Sequence, residues 1–179
     1  MASATLRRSL WIAGALGALG ALAAVAFHGE RPEAGLDRYQ PAGLAVTVPP
    51  DRVTAVIVEG GGRRRRLLRT LDGWADADGD GSATEDLAAK VELALRTLHG
   101  SSPQRVLSGA EAATLRPSDV GLSPPSLRVR LLVGDTEALQ VDLGGTNPQG
   151  FSSYARVAGR DDVYLVARYL ARAWQEVLK

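Results

Sequence analysis

The sequence predicts an α+β fold: an antiparallel β-hairpin and a β-meander form a sheet packed with an amphipathic helix and a C-terminal helix, preceded by one N-terminal transmembrane helix. Three observations lead there. Residues 10–27 carry no charged or strongly polar side chain, short β-branched or alternating runs are separated by Gly-containing turns, and two later stretches repeat apolar residues at helical spacing.

As a helix rising ~1.5 Å per residue, the apolar run extends about 27 Å, close to the ~30 Å of a bilayer's hydrocarbon core. Arg7 and Arg8 precede it, whereas His28, Glu30, Arg31 and Glu33 follow. The positive-inside rule then leaves residues 1–9 cytoplasmic, places 10–28 in the bacterial inner membrane and exports the rest to the periplasmic or extracellular side. A cleavable signal peptide is the alternative, because Ala24-Val25-Ala26 has the small-x-small form of a cleavage site. Gly14, Gly17 and Gly20, each followed four positions later by Ala, form a small-residue face on which a second helix could pack. Residues 29–51 hold Pro32, Pro41, Pro49 and Pro50 without long periodicity and read as a tether, leaving 52–179 as the extracytoplasmic domain.

Within that domain, Val53-Thr54-Ala55-Val56-Ile57-Val58, a Gly60-Gly61-Gly62 turn and the run from 63 to 71 predict the hairpin. Ser82-Ala83-Thr84-Glu85 has the form of a capping box ahead of a helix whose Leu87, Val91, Leu95 and Leu98 share one face, with Gly100 as its stop. A short helical piece is expected over 110–115. Leu127-Arg128-Val129-Arg130-Leu131 alternates with period two, as do Leu139, Val141 and Leu143; with 154–157 and 163–166 they predict a four-stranded meander. Residues 167–178 close the chain as a helix with Leu170, Trp174, Val177 and Leu178 on its buried side.

Composition excludes several classes. The chain carries 21 Lys and Arg against 20 Asp and Glu, and with Arg7 and Arg8 set aside the exported part is nearly neutral. Nothing there drives general binding to nucleic acid, which needs a basic surface. The absence of Cys removes disulfides, thiol nucleophiles and zinc–thiolate sites.

The order of the hairpin ending at Trp74, the Leu-rich helix, Arg105-Val106-Leu107, Val120-Gly121-Leu122-Ser123-Pro124-Pro125, Gly144 with Pro148 and Gly150, Tyr154-Ala155-Arg156 and Val163-Tyr164-Leu165 resembles the bacterial domain of unknown function 4340 family. The resemblance runs from about 52 to 166. It implies an envelope protein with an N-terminal membrane segment and, by analogy with some members, an auxiliary role beside an ABC-type transporter or gliding-motility system. It brings no active-site residues, and the chain differs from longer members in having one copy of the domain.

Among chemical motifs, Asp76-Ala77-Asp78-Gly79-Asp80-Gly81 is the sharpest. Alternating carboxylates with Gly at the sixth place match the start of a calcium loop, so Asp76, Asp78 and Asp80 are the candidate metal ligands and calcium the one candidate cofactor. The twelfth position is Leu87 rather than a bidentate Glu, and a polar loop leading into a helix is the competing reading. Arg63-Arg64-Arg65-Arg66 with Arg69 could contact anionic headgroups or a partner's acidic face, but alternate side chains of a strand point to opposite faces and halve the charge on either, so a charged edge strand is the expected reading. Gly150-Phe151-Ser152-Ser153-Tyr154 lacks the closing Gly of a nucleophile elbow, and the Gly144-Gly145 loop lacks the Lys of a phosphate loop. His28 and His99 are isolated, the Asp161-Asp162 pair reads as turn residues, and no catalytic residue is assigned. The expectation is a non-enzymatic, membrane-anchored interaction module, an accessory subunit of an envelope or transport complex; the alternative is a domain that binds calcium or a small ligand.

Overall fold

A computed structural model describes residues 17–20, 43–79 and 81–179. Residues 17–20 are helical; the rest of the expected membrane segment, and the tether as far as residue 42, lie outside the described residues. Among the described residues no helix is long and apolar enough to cross a membrane.

Strands β1 (Ala55–Gly60) and β2 (Arg63–Thr70) form the expected hairpin, with Gly61 and Gly62 both at positive φ in its two-residue turn. Two further strands extend it, β3 (Gly73–Asp76) and the two-residue β4 (Gly81–Ser82). Helix α1 (Glu85–Gly100) then leads to β5 (Arg105–Leu107) and the short α2 (Gly109–Ala113). The expected meander follows as β6 (Leu127–Val133), β7 (Thr136–Thr146), β8 (Ser152–Val157) and β9 (Val163–Ala167), and α3 (Arg168–Leu178) closes the chain.

All nine strands join one antiparallel sheet in the order β4-β3-β2-β1-β6-β7-β8-β9-β5. Its centre is the seam between the two meanders, where Val58 of β1 faces Val129 of β6 and Val56 faces Leu131. The edge strands are two and three residues long, so little unpaired backbone is left to recruit another chain.

Helices α1 and α3 cover one face. Val91, Leu95 and Leu98 of α1 and Leu170, Trp174 and Val177 of α3 are buried against Val56, Val58, Val129, Val141 and Leu143 from the sheet. Each large apolar side chain so buried contributes roughly 1.5–3 kcal/mol, so this face carries most of the domain's stability.

Three local expectations change. Thr84, rather than Ser82, caps α1: its hydroxyl accepts from the Leu87 N–H at 3.2 Å, because Ser82 is held in β4 opposite Ala75. The arginine strand β2 is interior, paired on both sides by β1 and β3, so it protects no edge. Part of the expected tether belongs to the core, since Leu44, Ala45 and Val48 are buried there. His99 holds that segment through Nδ1, 3.0 Å from the Ala45 carbonyl, and a Cβ at Gly43 would stand 2.7 Å from the His99 carbonyl oxygen.

On the covered face Arg69 is a hub. Its Nε donates to Val53 O at 2.8 Å and its Nη2 to Pro50 O at 2.9 Å, while Nη1 pairs with Glu92 at 2.8 Å. The guanidinium stacks 4.5 Å over the Trp74 ring, whose Nε1 donates to the same Glu92 oxygen. One carboxylate on α1 is thereby tied to two neighbouring strands.

Candidate functional site on the open face of the sheet

Period-two alternation sends the partners of the core residues to the opposite face, and the register lines charged ones up in a row. Arg64 of β2 faces Glu59 of β1, Glu59 faces Arg128 of β6, Arg128 faces Asp142 of β7, and Asp142 faces Arg156 of β8. Signs alternate across five strands. Arg128 donates from Nε and Nη2 to the two Asp142 oxygens at 2.7 and 3.1 Å, a bidentate pair, and Arg156 approaches the same carboxylate at 3.6 Å. Glu59 pairs with Arg64 at 3.5 Å and accepts from Arg130 at 2.8 Å.

Asp142 is 4% exposed, yet Arg128 and Arg156 keep over a third of their side-chain surface in water. Hydrogen bonding to Asp142 raises the Arg128 pKa above its ordinary value; burial opposes this, and the charges of Asp142, Glu59 and Glu137 reinforce it. The guanidinium is therefore charged at any physiological pH. In the adjoining row, Ile57 sits between Arg66 and Arg130, and Arg130 also reaches Glu137 at 4.0 Å. Arg66 is exposed and makes no ion pair among the described residues. Arg64, Arg66, Arg128, Arg130 and Arg156 thus outnumber Glu59, Glu137 and Asp142, and the open face has a surplus of positive charge.

Toward β5 and β9 this face is roofed by α2 and the loop after it. Leu107, Val120, Leu122 and Val163 form a second, smaller core there. The loop is pinned by the Gly145 N–H, which donates to Val120 O at 2.8 Å, and a Cβ at Gly144 would stand 2.3 Å from that oxygen, so the close approach requires Gly. Beside it lies a cavity of about 240 Å³ with an apolar lining from α2, the loop and Val163, and with Arg156 and Asp161 as its charged members.

The sequence-derived candidates are dispersed. Asp76 ends β3, where its carboxylate pairs with Arg65 at 3.2 Å and accepts the Asp78 N–H at 3.2 Å. Its loop connects two antiparallel strands, and Asp80 lies outside the described residues. Ser152 is buried in β8 with its hydroxyl bonded to the Gln104 side chain, and His99, the one imidazole among the described residues, is engaged by Ala45 O. Asp161 lines the small cavity. Of the open-face row, the sequence singles out Arg64 within the arginine run, Arg128 by its period-two alternation and Arg156 within the family motif; the carboxylates Glu59 and Asp142 were not singled out, and pairing Asp142 with Arg128 and Arg156 requires the register.

Residues 108–177 match the model of a family described as a domain of unknown function, DUF4340. The chain resembles that family. The match takes in α2, its loop, the whole β6–β9 meander and nearly all of α3; the first meander and α1 precede it. It thus begins later than residue 52 and ends beyond 166, the limits expected from the motifs. Gly121-Leu122, Arg156 and Val163, which carry much of the resemblance, meet at the loop and cavity that flank the open face. No curated protein and no solved structure matches the chain.

Proposed function

We propose that the chain is a membrane-tethered, extracytoplasmic docking module without catalytic activity, an accessory subunit of a bacterial envelope complex whose partner presents an acidic surface to the open sheet face. The observation that carries this reading is the guanidinium surplus on that face, with Arg66 unpaired among the described residues and Arg64, Arg128 and Arg156 partly in water. Charge complementarity of this kind steers encounter and fixes register between partners. The short edge strands favour the face over the sheet edge as the docking surface. The apolar run over 10–27 supports a membrane tether, and an ABC-type transport complex is the partner class that the DUF4340 resemblance suggests.

Two measurements test it together. A reporter enzyme fused after Lys179 should be active only outside the cytosol; activity confined to the cytosol ends the topology. Crosslinking in intact membranes should join the full chain to one partner, and the double reversal Arg64→Glu with Arg66→Glu should abolish the product while leaving the melting temperature within a few degrees. An unchanged product would remove the open face from the interface.

A further inference from the structure

A second basic site lies on the helix-covered side, where the outer flank of α3 meets the end of β7 and the start of β8. Arg168, Arg172 and Gln175 stand at i, i+4 and i+7 of α3 and form one stripe. Facing them are Thr146 from the end of β7, Ser153 from β8 and Ser126 ahead of β6, around a cavity of about 330 Å³. No carboxylate lines it.

The Ser126 hydroxyl is turned to the Gly121 carbonyl at 3.5 Å, and the donors left to the cavity include those of Ser153 and the two arginines. Ser153 is 2% exposed and lines the cavity, and its hydroxyl makes no hydrogen bond among the described residues. Arg168 spends one nitrogen on Gly150 O at 2.9 Å, which fixes the guanidinium and leaves its other donors available. Arg172 makes no ion pair among the described residues; the next carboxylate along the helix, Glu176, accepts from Lys179 at 2.5 Å and lines a different depression. Two planar guanidinium forks and the Ser153 hydroxyl lining one cavity are the donor chemistry that recognises a phosphate group. The depression opens to solvent beside Arg168, Arg172 and Gln175, which leaves room for an organic group attached to the anion.

We propose that this pocket binds a phosphomonoester, with Arg168 and Arg172 clamping the phosphate oxygens and Ser153 donating from the cavity floor. The site is separate from the open-face arginines and does not depend on the docking role. Calorimetric titration of the full chain in neutral detergent with glycerol 3-phosphate tests the soluble source of this group. Native mass spectrometry of the same sample, after exposure to phosphatidic acid or phosphatidylcholine, tests the lipid source.

Saturable binding of glycerol 3-phosphate, or selective retention of phosphatidic acid, is expected. Arg168→Gln with Arg172→Gln should weaken it at least tenfold, and Ser153→Ala several-fold. Arg64→Gln with Arg66→Gln, on the opposite face, should leave it unchanged. The double substitution is at the helix surface, and an unaltered circular-dichroism melt confirms folding. Binding by neither probe, or binding that survives Arg168→Gln with Arg172→Gln, overturns the site.

Discussion

Along β2, Arg65 and Arg69 point to the helix-covered face and Arg64 and Arg66 to the open one. Their circumstances diverge. Arg65 donates to the Val177 carbonyl at 2.8 Å and pairs with Asp76, and Arg69 closes the hub of Val53, Pro50, Glu92 and Trp74. Arg64 has one loose pair at 3.5 Å and more than half of its side chain in water. One residue type in one strand is thus structural or available according to the parity of its position and whether helices cover that face. A surface count of arginines would miss this, because the guanidiniums on one side are tied into the packed core and those on the other are left partly in water.

The comparison breaks most visibly in the core. Trp174→Ala, at a position with no exposure, should cost about 3–5 kcal/mol in a urea denaturation; a loss near 1 kcal/mol would mean α3 does not seal the covered face. Arg69→Lys keeps the charge but loses the two carbonyl bonds and the stacking, and should cost about 2 kcal/mol by the same measurement.

On the open face the effects shrink. Asp142→Asn removes the charge shared by Arg128 and Arg156, yet both guanidiniums can turn to water, so about 1–2 kcal/mol is expected, less at high salt. A larger loss than that of Arg69→Lys would make the row a structural device and weaken the docking reading. Arg64→Ser with Arg66→Ser should stay within about 0.5 kcal/mol of the parent. The smallest effect is expected from calcium: with Asp76 already engaged by Arg65 and the Asp78 N–H, millimolar calcium should leave the melting temperature unmoved. A clear rise lost in Asp76→Asn with Asp78→Asn would make the aspartate loop a calcium site.

Periodicity made α1, α3 and the β6–β9 meander legible, because burial on one side of a helix or strand imposes its own spacing on the apolar residues. The short β3 and β4 were not, since two to four residues carry too little pattern and their pairing depends on a hairpin already in place. Leu44 and Val48 were hidden by the prolines around them, and their place in the core together with the hydrogen bond from His99 to Ala45 O depends on the folded helix and sheet. The aspartate motif was conspicuous in sequence, but a spacing does not reveal that Arg65 occupies one of its carboxylates.

By itself the sequence determined the α+β class, the two helical faces and the alternation that sorts each strand into a buried and an exposed side, because these follow from local geometry and the aversion of apolar groups to water. Tertiary structure decided that β1 pairs with β6, that charges from five strands fall into one row, and that Arg168, Arg172 and Ser153 meet around one cavity. Those are contacts between segments far apart in the chain. Their register and packing are set by the cooperative closing of the whole sheet, which no local spacing encodes.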